Sequence, residues 1–165
     1  MLRTFTDMAT MRSLLEAAEQ ESTAMGEAEP GAEHVVLAAL GLPDSSARET
    51  LAELGADASG LRRAISEVHA RALGALGFDQ VPDPLPTPRP TGRGLYRAKG
   101  STRDLLKATA EAKRALGARH FVTAHVLVGA ATLERGTLPM ALARLGIEPA
   151  ELRERAVRRA QSTAR

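Results

Sequence analysis

The sequence predicts an all-α fold built from two copies of a four-helix unit, eight helices in all. Three observations carry this expectation: residues that recur at one fixed offset, apolar spacing that is helical in both copies, and a core almost without aromatic side chains. Leu51-Ala52-Glu53-Leu54-Gly55, followed by Leu61-Arg62, returns 91 residues later as Leu142-Ala143-Arg144-Leu145-Gly146, followed by Leu152-Arg153. The same offset relates Phe5 to Tyr96, Leu14-Leu15 to Leu105-Leu106, Gly26 to Gly117 and His34 to His125. An ungapped register held from near the N-terminus to the last predicted helix marks an internal duplication. Apolar residues make up 44% of the chain and aromatic ones only 2%. The core is therefore built from Ala, Leu, Val and Met, which suit closely packed helices.

In the first copy, Met11, Leu14, Leu15 and Ala18 share one helical stripe, predicting a helix from about Thr10 to Met25 that stops at Gly26. A second, very apolar helix contains Val35-Val36-Leu37-Ala38-Ala39-Leu40 and ends near Pro43. Ser46-Ala47-Arg48-Glu49 has the pattern of a capping box and opens a third helix, which Gly55 closes. The fourth runs from about Asp57 to Leu73. The second copy offers the same four. Leu105, Leu106 and Thr109 repeat the stripe, Ser101-Thr102-Arg103-Asp104 resembles a capping box, Thr123 is an N-cap candidate and Gly146 is a stop. No period-two strand pattern persists anywhere.

These signals divide the chain into a first repeat (1–73), a linker (74–100) and a second repeat with a basic tail (101–165), together one composite domain. The linker carries Pro82, Pro84, Pro86, Pro88 and Pro90 with Gly92 and Gly94, and reads as an extended polyproline-like spacer. The other reading is a Pro-rich ligand for a partner domain, but the alternation lacks flanking aromatic anchors. Met1 and the basic tail ending at Arg165 favour an independent gene product over a fragment of a larger protein.

With 22 basic and 20 acidic residues the net charge is +2. That is a weak field, so neither a nucleic-acid partner nor a membrane surface is expected. The absence of Cys excludes disulfides and thiolate metal sites and agrees with a reducing cytoplasm. There is no apolar leader segment and no run of membrane-spanning length, so cytoplasmic localisation is the expectation.

The block Gly31-Ala32-Glu33-His34-Val35-Val36-Leu37-Ala38-Ala39-Leu40 resembles the Gly-Thr-Glu-His-(Leu/Ile)-Leu-Leu-Gly-Leu signature of the Clp N-terminal (Clp R) repeat. Ala47 to Gly55, followed by Asp57, resembles that family's Leu-Gly segment. The resemblance implies the eight-helix domain that precedes the AAA+ modules of ClpA- and ClpC-type unfoldases. The ATPase modules are missing. No Gly-x-x-x-x-Gly-Lys-(Ser/Thr) loop occurs, and Lys99-Gly100-Ser101 has the right residue types in the wrong order. The implied function is a non-catalytic one with no cofactor: binding of substrate proteins or peptides, or of Clp-directed small molecules such as cyclic peptides. The alternative is an interaction protein that docks on Clp components or adaptors and competes with the unfoldase's own N-domain. A DNA-associated helical regulator is suggested only by the pI of about 9.5.

The resemblance also implies a site. Family members of the actinobacterial and Gram-positive type bind phosphorylated arginine through the Glu of this motif, and Glu33 occupies that position. A carboxylate matches the guanidinium fork, while amides at a helix N-terminus suit a phosphate. A purely structural first-turn Glu favoured by the helix dipole is the other reading. In the second repeat the matching residue is Ala124, so at most one of the paired sites survives. The family's opening Phe-Thr resembles Phe5-Thr6, and Tyr96 is the repeat mate of Phe5. These three are candidate ligand contacts, against the reading that the aromatics only cover the ends of their bundles. His34 and His125 are expected to share one packing or capping role, and His120 lies five residues from His125 with no neighbouring ligand. No metal site and no catalytic residue is expected.

Overall fold

The computed structural model describes residues 2–77 and 98–163, with side chains from residue 7 onward. The Pro-rich stretch of the expected linker, together with Tyr96, lies outside the described residues. These residues form eight helices and no strand: α1 (Leu2–Ala24), α2 (Ala32–Gly41), α3 (Ser46–Glu53), α4 (Ala58–Ala75), α5 (Gly100–Ala115), α6 (Ala124–Ala130), α7 (Thr137–Arg144) and α8 (Pro149–Thr163). The expected all-α class is what is found. None of the described helices is long and apolar enough to cross a membrane.

The internal register is visible in the backbone. Gly26 and Gly117, then Gly55 and Gly146, all take left-handed φ values between 60° and 77°. After each one the next amide bonds back five residues: Glu27 to Ser22, Ala118 to Lys113, Ala56 to Leu51, and Ile147 to Leu142. This is the glycine-terminated helix stop, and it recurs at the 91-residue spacing in both pairs. The register of α3 and α7 agrees residue for residue, since 46–53 maps onto 137–144.

Helix starts differ from the sequence expectation in instructive ways. The helix expected from Thr10 begins eight residues earlier, at Leu2. Ser45, not Ser46, is the N-cap of α3, and its hydroxyl bonds Glu49. Ser46 and Ser101 sit inside their helices and spend their hydroxyls on the other repeat. Ser46 Oγ accepts the Ala124 amide at 2.8 Å, and Ser101 Oγ accepts the Ala32 amide at 3.3 Å. A local capping pattern was thus overridden by tertiary bonds. Asp57 does cap α4, taking the Gly60 amide at 2.7 Å.

Helices α2 and α6 are the centre: every residue from Ala32 to Leu40 and from Ala124 to Ala130 is buried. Around them the repeats interlock, with α3 packed on α8 and α4 on α7. Arg159 of α8 pairs with Glu49 and Glu53 of α3, and Arg144 of α7 with Glu67 of α4 at 2.6 Å. One continuous apolar core contains Leu14, Val35, Leu37, Leu51 and Leu61 of the first half together with Leu105, Leu127, Leu138 and Leu152 of the second.

Candidate functional site

The site begins with how α2 and α6 start. Gly31 N–H donates to His34 Nδ1 at 2.9 Å, and the His34 amide returns to the Gly31 carbonyl at 3.1 Å. In the second repeat Val122 N–H donates to His125 Nδ1 at 3.1 Å, with the His125 amide 3.0 Å from the Val122 carbonyl. Both imidazoles are fully buried. Each His therefore acts as a capping side chain, the imidazole counterpart of a capping-box Glu. Burial pushes both below the ordinary imidazole range. For His34, Glu33 and Glu27 oppose that shift and Lys99 and His69 add to it. For His125 the Val122 carbonyl, Asp44 and Asp7 oppose it and Lys113 adds to it.

What surrounds the two caps differs. Glu33, in the first turn of α2, is only 2% exposed and folds its carboxylate back over Gly31, where any Cβ would collide with it. Lys99, just ahead of α5, places its ammonium on Glu27 and 3.6 Å from Glu33 Oε1. Its backbone is fixed too, because the Lys99 amide donates to the Pro30 carbonyl at 3.1 Å and Thr102 Oγ1 donates to the same oxygen at 2.7 Å. His69 of α4 brings Nδ1 to 3.4 Å from Glu27 Oε1, and His34 Nε2 lies 3.6 Å from that same oxygen. Neither Glu27 Oε1 nor His34 Nε2 has a hydrogen-bond partner, although both atoms are buried. Glu27, Glu33 and His69 each offer an atom within 4.8 Å of the others.

At the equivalent place in the second repeat stand Ala118 for Glu27, Ala124 for Glu33 and Ala160 for His69. With Val122 and Leu116 they make a small apolar cluster of their own. Val122 replaces Gly31 without conflict, because no carboxylate folds back over it. His125 Nε2 is buried without a hydrogen-bond partner here too, whereas Thr123 Oγ1 takes the Ala47 amide at 3.1 Å and Asp44 takes the Thr123 amide.

Of the residues singled out from sequence, Glu33 lies in this cluster. Phe5 and Thr6 belong to α1, but their side chains, like all of Tyr96, fall outside the described residues. Sequence reasoning missed Glu27, His69 and Lys99. The signal was present in the repeat alignment, where two acids and a His face three alanines. A separate open cleft between α1 and α2, of about 360 Å³, is lined by Ala17, Leu37, Ala38 and Leu42, with the Glu21–Arg62 pair also on its wall.

The architecture and the sequence converge on known proteins. Residues 4–91, more than half of the 165, match the family model described as "Clp repeat (R) N-terminal domain". No curated protein sequence matches the chain. Among solved structures, the fold matches the N-terminal domain of the caseinolytic protease associated chaperone ClpD from Arabidopsis thaliana. The TM-score is 0.59, with 18% identity over 89% of each chain. At that identity the likeness speaks for the fold, and the family match speaks for the sequence. The chain belongs to the Clp repeat (R) N-terminal domain family.

Proposed function

We propose that the chain is a non-catalytic receptor module that binds basic protein segments, arginine-phosphorylated ones included, and either hands them to a Clp-type unfoldase or withholds them from it. The observation that carries this reading is the Lys99 ammonium, a basic group from a distant part of the chain held between Glu27 and Glu33. A guanidinium fork is a better match than an ammonium for two adjacent carboxylates, since it can bond both at once. Lys99 is 40% exposed at its side chain, so it can leave without a large rearrangement. The Gly31 and Ala32 amides already serve His34 and Ser101. Recognition accordingly rests on the guanidinium more than on a phosphate. Phe5, Thr6 and Tyr96 are proposed as flanking contacts. Residues 1–73 and 101–165 are read as one composite unit, supported by the core they share.

Titration calorimetry with an arginine peptide and its phosphorylated form tests this. A charge-assisted hydrogen bond is worth roughly 1.5 to 3 kcal/mol, so Glu33→Ala is expected to weaken binding by about ten-fold or more. Lys99→Ala, which removes the resident cation, is expected to tighten it. Equal affinities for the native chain and Glu33→Ala would remove the reading.

A further inference from the structure

We propose that Glu27, Glu33 and His69 form a binding site for a divalent transition-metal ion of the zinc type, which Lys99 fills with its ammonium until the metal displaces it. Two carboxylate oxygens and an imidazole nitrogen are a donor set that zinc accepts, with water as the fourth ligand. The three donors come from three different places, the loop after α1, the first turn of α2 and the middle of α4, and still lie within 4.8 Å of one another. Two ligands on one tetrahedral zinc stand about 3.4 Å apart when each bond is about 2.0 to 2.1 Å. Glu27 Oε1 and His69 Nδ1 are separated by 3.4 Å, too long for a strong hydrogen bond between them.

The surroundings are those of a supported ligand set. Metal-bound imidazoles donate their second nitrogen to a fixed partner. His69 Nε2 has Thr137 Oγ1 at 3.4 Å, from the other repeat. Ligating carboxylates are themselves hydrogen-bonded. His125 Nε2 is as unpartnered as His34 Nε2, but only in the first repeat does a carboxylate oxygen, Glu27 Oε1, stand 3.6 Å from it, itself buried and without a partner. With Nδ1 accepting the Gly31 amide, the His34 proton sits on Nε2, so this group orients the carboxylate and leaves ligation to His69. Burying Glu33 and His34 beside the half-buried Glu27 and His69 is costly without such a purpose. The second repeat shows that the fold does not require them, because Ala118, Ala124 and Ala160 fill the same place.

The site shares Glu27, Glu33 and the displaceable Lys99 with the basic-segment reading, whereas His69 and Thr137 take part in metal binding alone. The test is calorimetric titration of the intact chain with Zn²⁺, paired with Co²⁺ absorption to report coordination geometry. The native chain is expected to bind one equivalent of Zn²⁺ and to give the intense visible bands of tetrahedral Co²⁺. His69→Ala and Glu27→Gln should fall to background. Thr137→Val should bind about ten-fold more weakly, as loss of an outer-shell partner does. Lys99→Met should bind more tightly than the native chain. Zn²⁺ binding that is absent in the native chain, or undiminished in His69→Ala, would overturn the site. Unchanged affinity in Lys99→Met would overturn the displacement of Lys99. Metal binding lost in His69→Ala while the arginine peptide still binds would separate this site from the proposed function.

Discussion

At the start of α2, His34 accepts the Gly31 amide beside Glu27, Glu33 and His69. At the start of α6, His125 accepts the Val122 amide beside Ala118, Ala124 and Ala160. The cap is common to both repeats, as are the left-handed glycines and the burial of the central helices, and these belong to the fold. The charged trio occurs once. A duplicated chain supplies its own control: what both copies keep is needed for folding, and what one copy does without is available for function. The alanine cluster is the cheaper way to fill that space, since buried ion pairs are often neutral or worse than apolar replacements.

The comparison extends to helix packing, where it gives the largest expected effect. Gly129 of α6 lies so close to α5 that a Cβ there would stand 2.8 Å from both the Thr109 amide and its hydroxyl. The repeat mates are Ala38 and Ala18, so a Gly–Thr pair in one copy answers an Ala–Ala pair in the other. Gly129→Ala should cost about 1 to 3 kcal/mol by overpacking. Adding Thr109→Ala should relieve part of that cost by removing the hydroxyl, while the contact with the Thr109 amide remains. Urea denaturation of the single and double variants measures both. No loss in Gly129→Ala would mean that the two helix pairs are not as differently spaced as described.

A smaller effect follows from the two buried imidazoles. Both are held below the ordinary value of 6.5, chiefly by burial, so the unfolded chain takes up their protons first as pH falls. Stability is full above pH 6.5 and declines as pH drops through that value, until the lower folded-state values are passed. Thermal unfolding followed from pH 8 to pH 5, as a rough range around the ordinary imidazole titration, should show this decline. His125→Gln should flatten it without abolishing it, because His34 remains. A flat profile in the native chain would contradict the buried neutral caps.

The smallest effect is expected where the difference in chemistry is greatest. Giving the charged site the residues of its apolar counterpart, as Glu27→Ala, Glu33→Ala, His69→Ala and Lys99→Met together, should change metal-free stability by no more than about 1 kcal/mol in the unfavourable direction. The fourth change follows the register, since Met8 is the mate of Lys99. A loss of several kcal/mol in denaturant unfolding would make the charged cluster part of the scaffold after all.

Much of the fold could be read from the chain, because helix stops and apolar stripes are local signals. Gly26, Gly55, Gly117 and Gly146 end helices where the 91-residue register placed them. Helix starts were less legible. Ser46 and Ser101 look like local caps, but their hydroxyls serve Ala124 and Ala32 across the repeat interface, a tertiary choice that no sequence window contains. The same reason hid part of the site. Glu33 was found through its motif, whereas Glu27, His69 and Lys99 lie 42 to 72 residues apart from one or another partner and converge only after α4 and α5 have packed on α2. The expectation of no metal site rested on the absence of Cys, on His34 and His125 belonging to separate repeats, and on the spacing of His120 and His125. His125 is a cap, in line with the role expected of it, and His69, which belongs to no local pattern, places Nδ1 3.4 Å from a Glu27 oxygen.

The claim that the two helix starts differ in function is tested most directly by amide-resolved nuclear magnetic resonance of the intact chain, titrated with Zn²⁺ and, separately, with the arginine peptide. The account predicts that shifts centre on Glu27, Gly31, Glu33, His69 and Lys99, while Ala118, Val122, Ala124 and Ala160 stay unchanged. Shifts of equal size around both histidine caps, or centred on the alanine cluster, would contradict it.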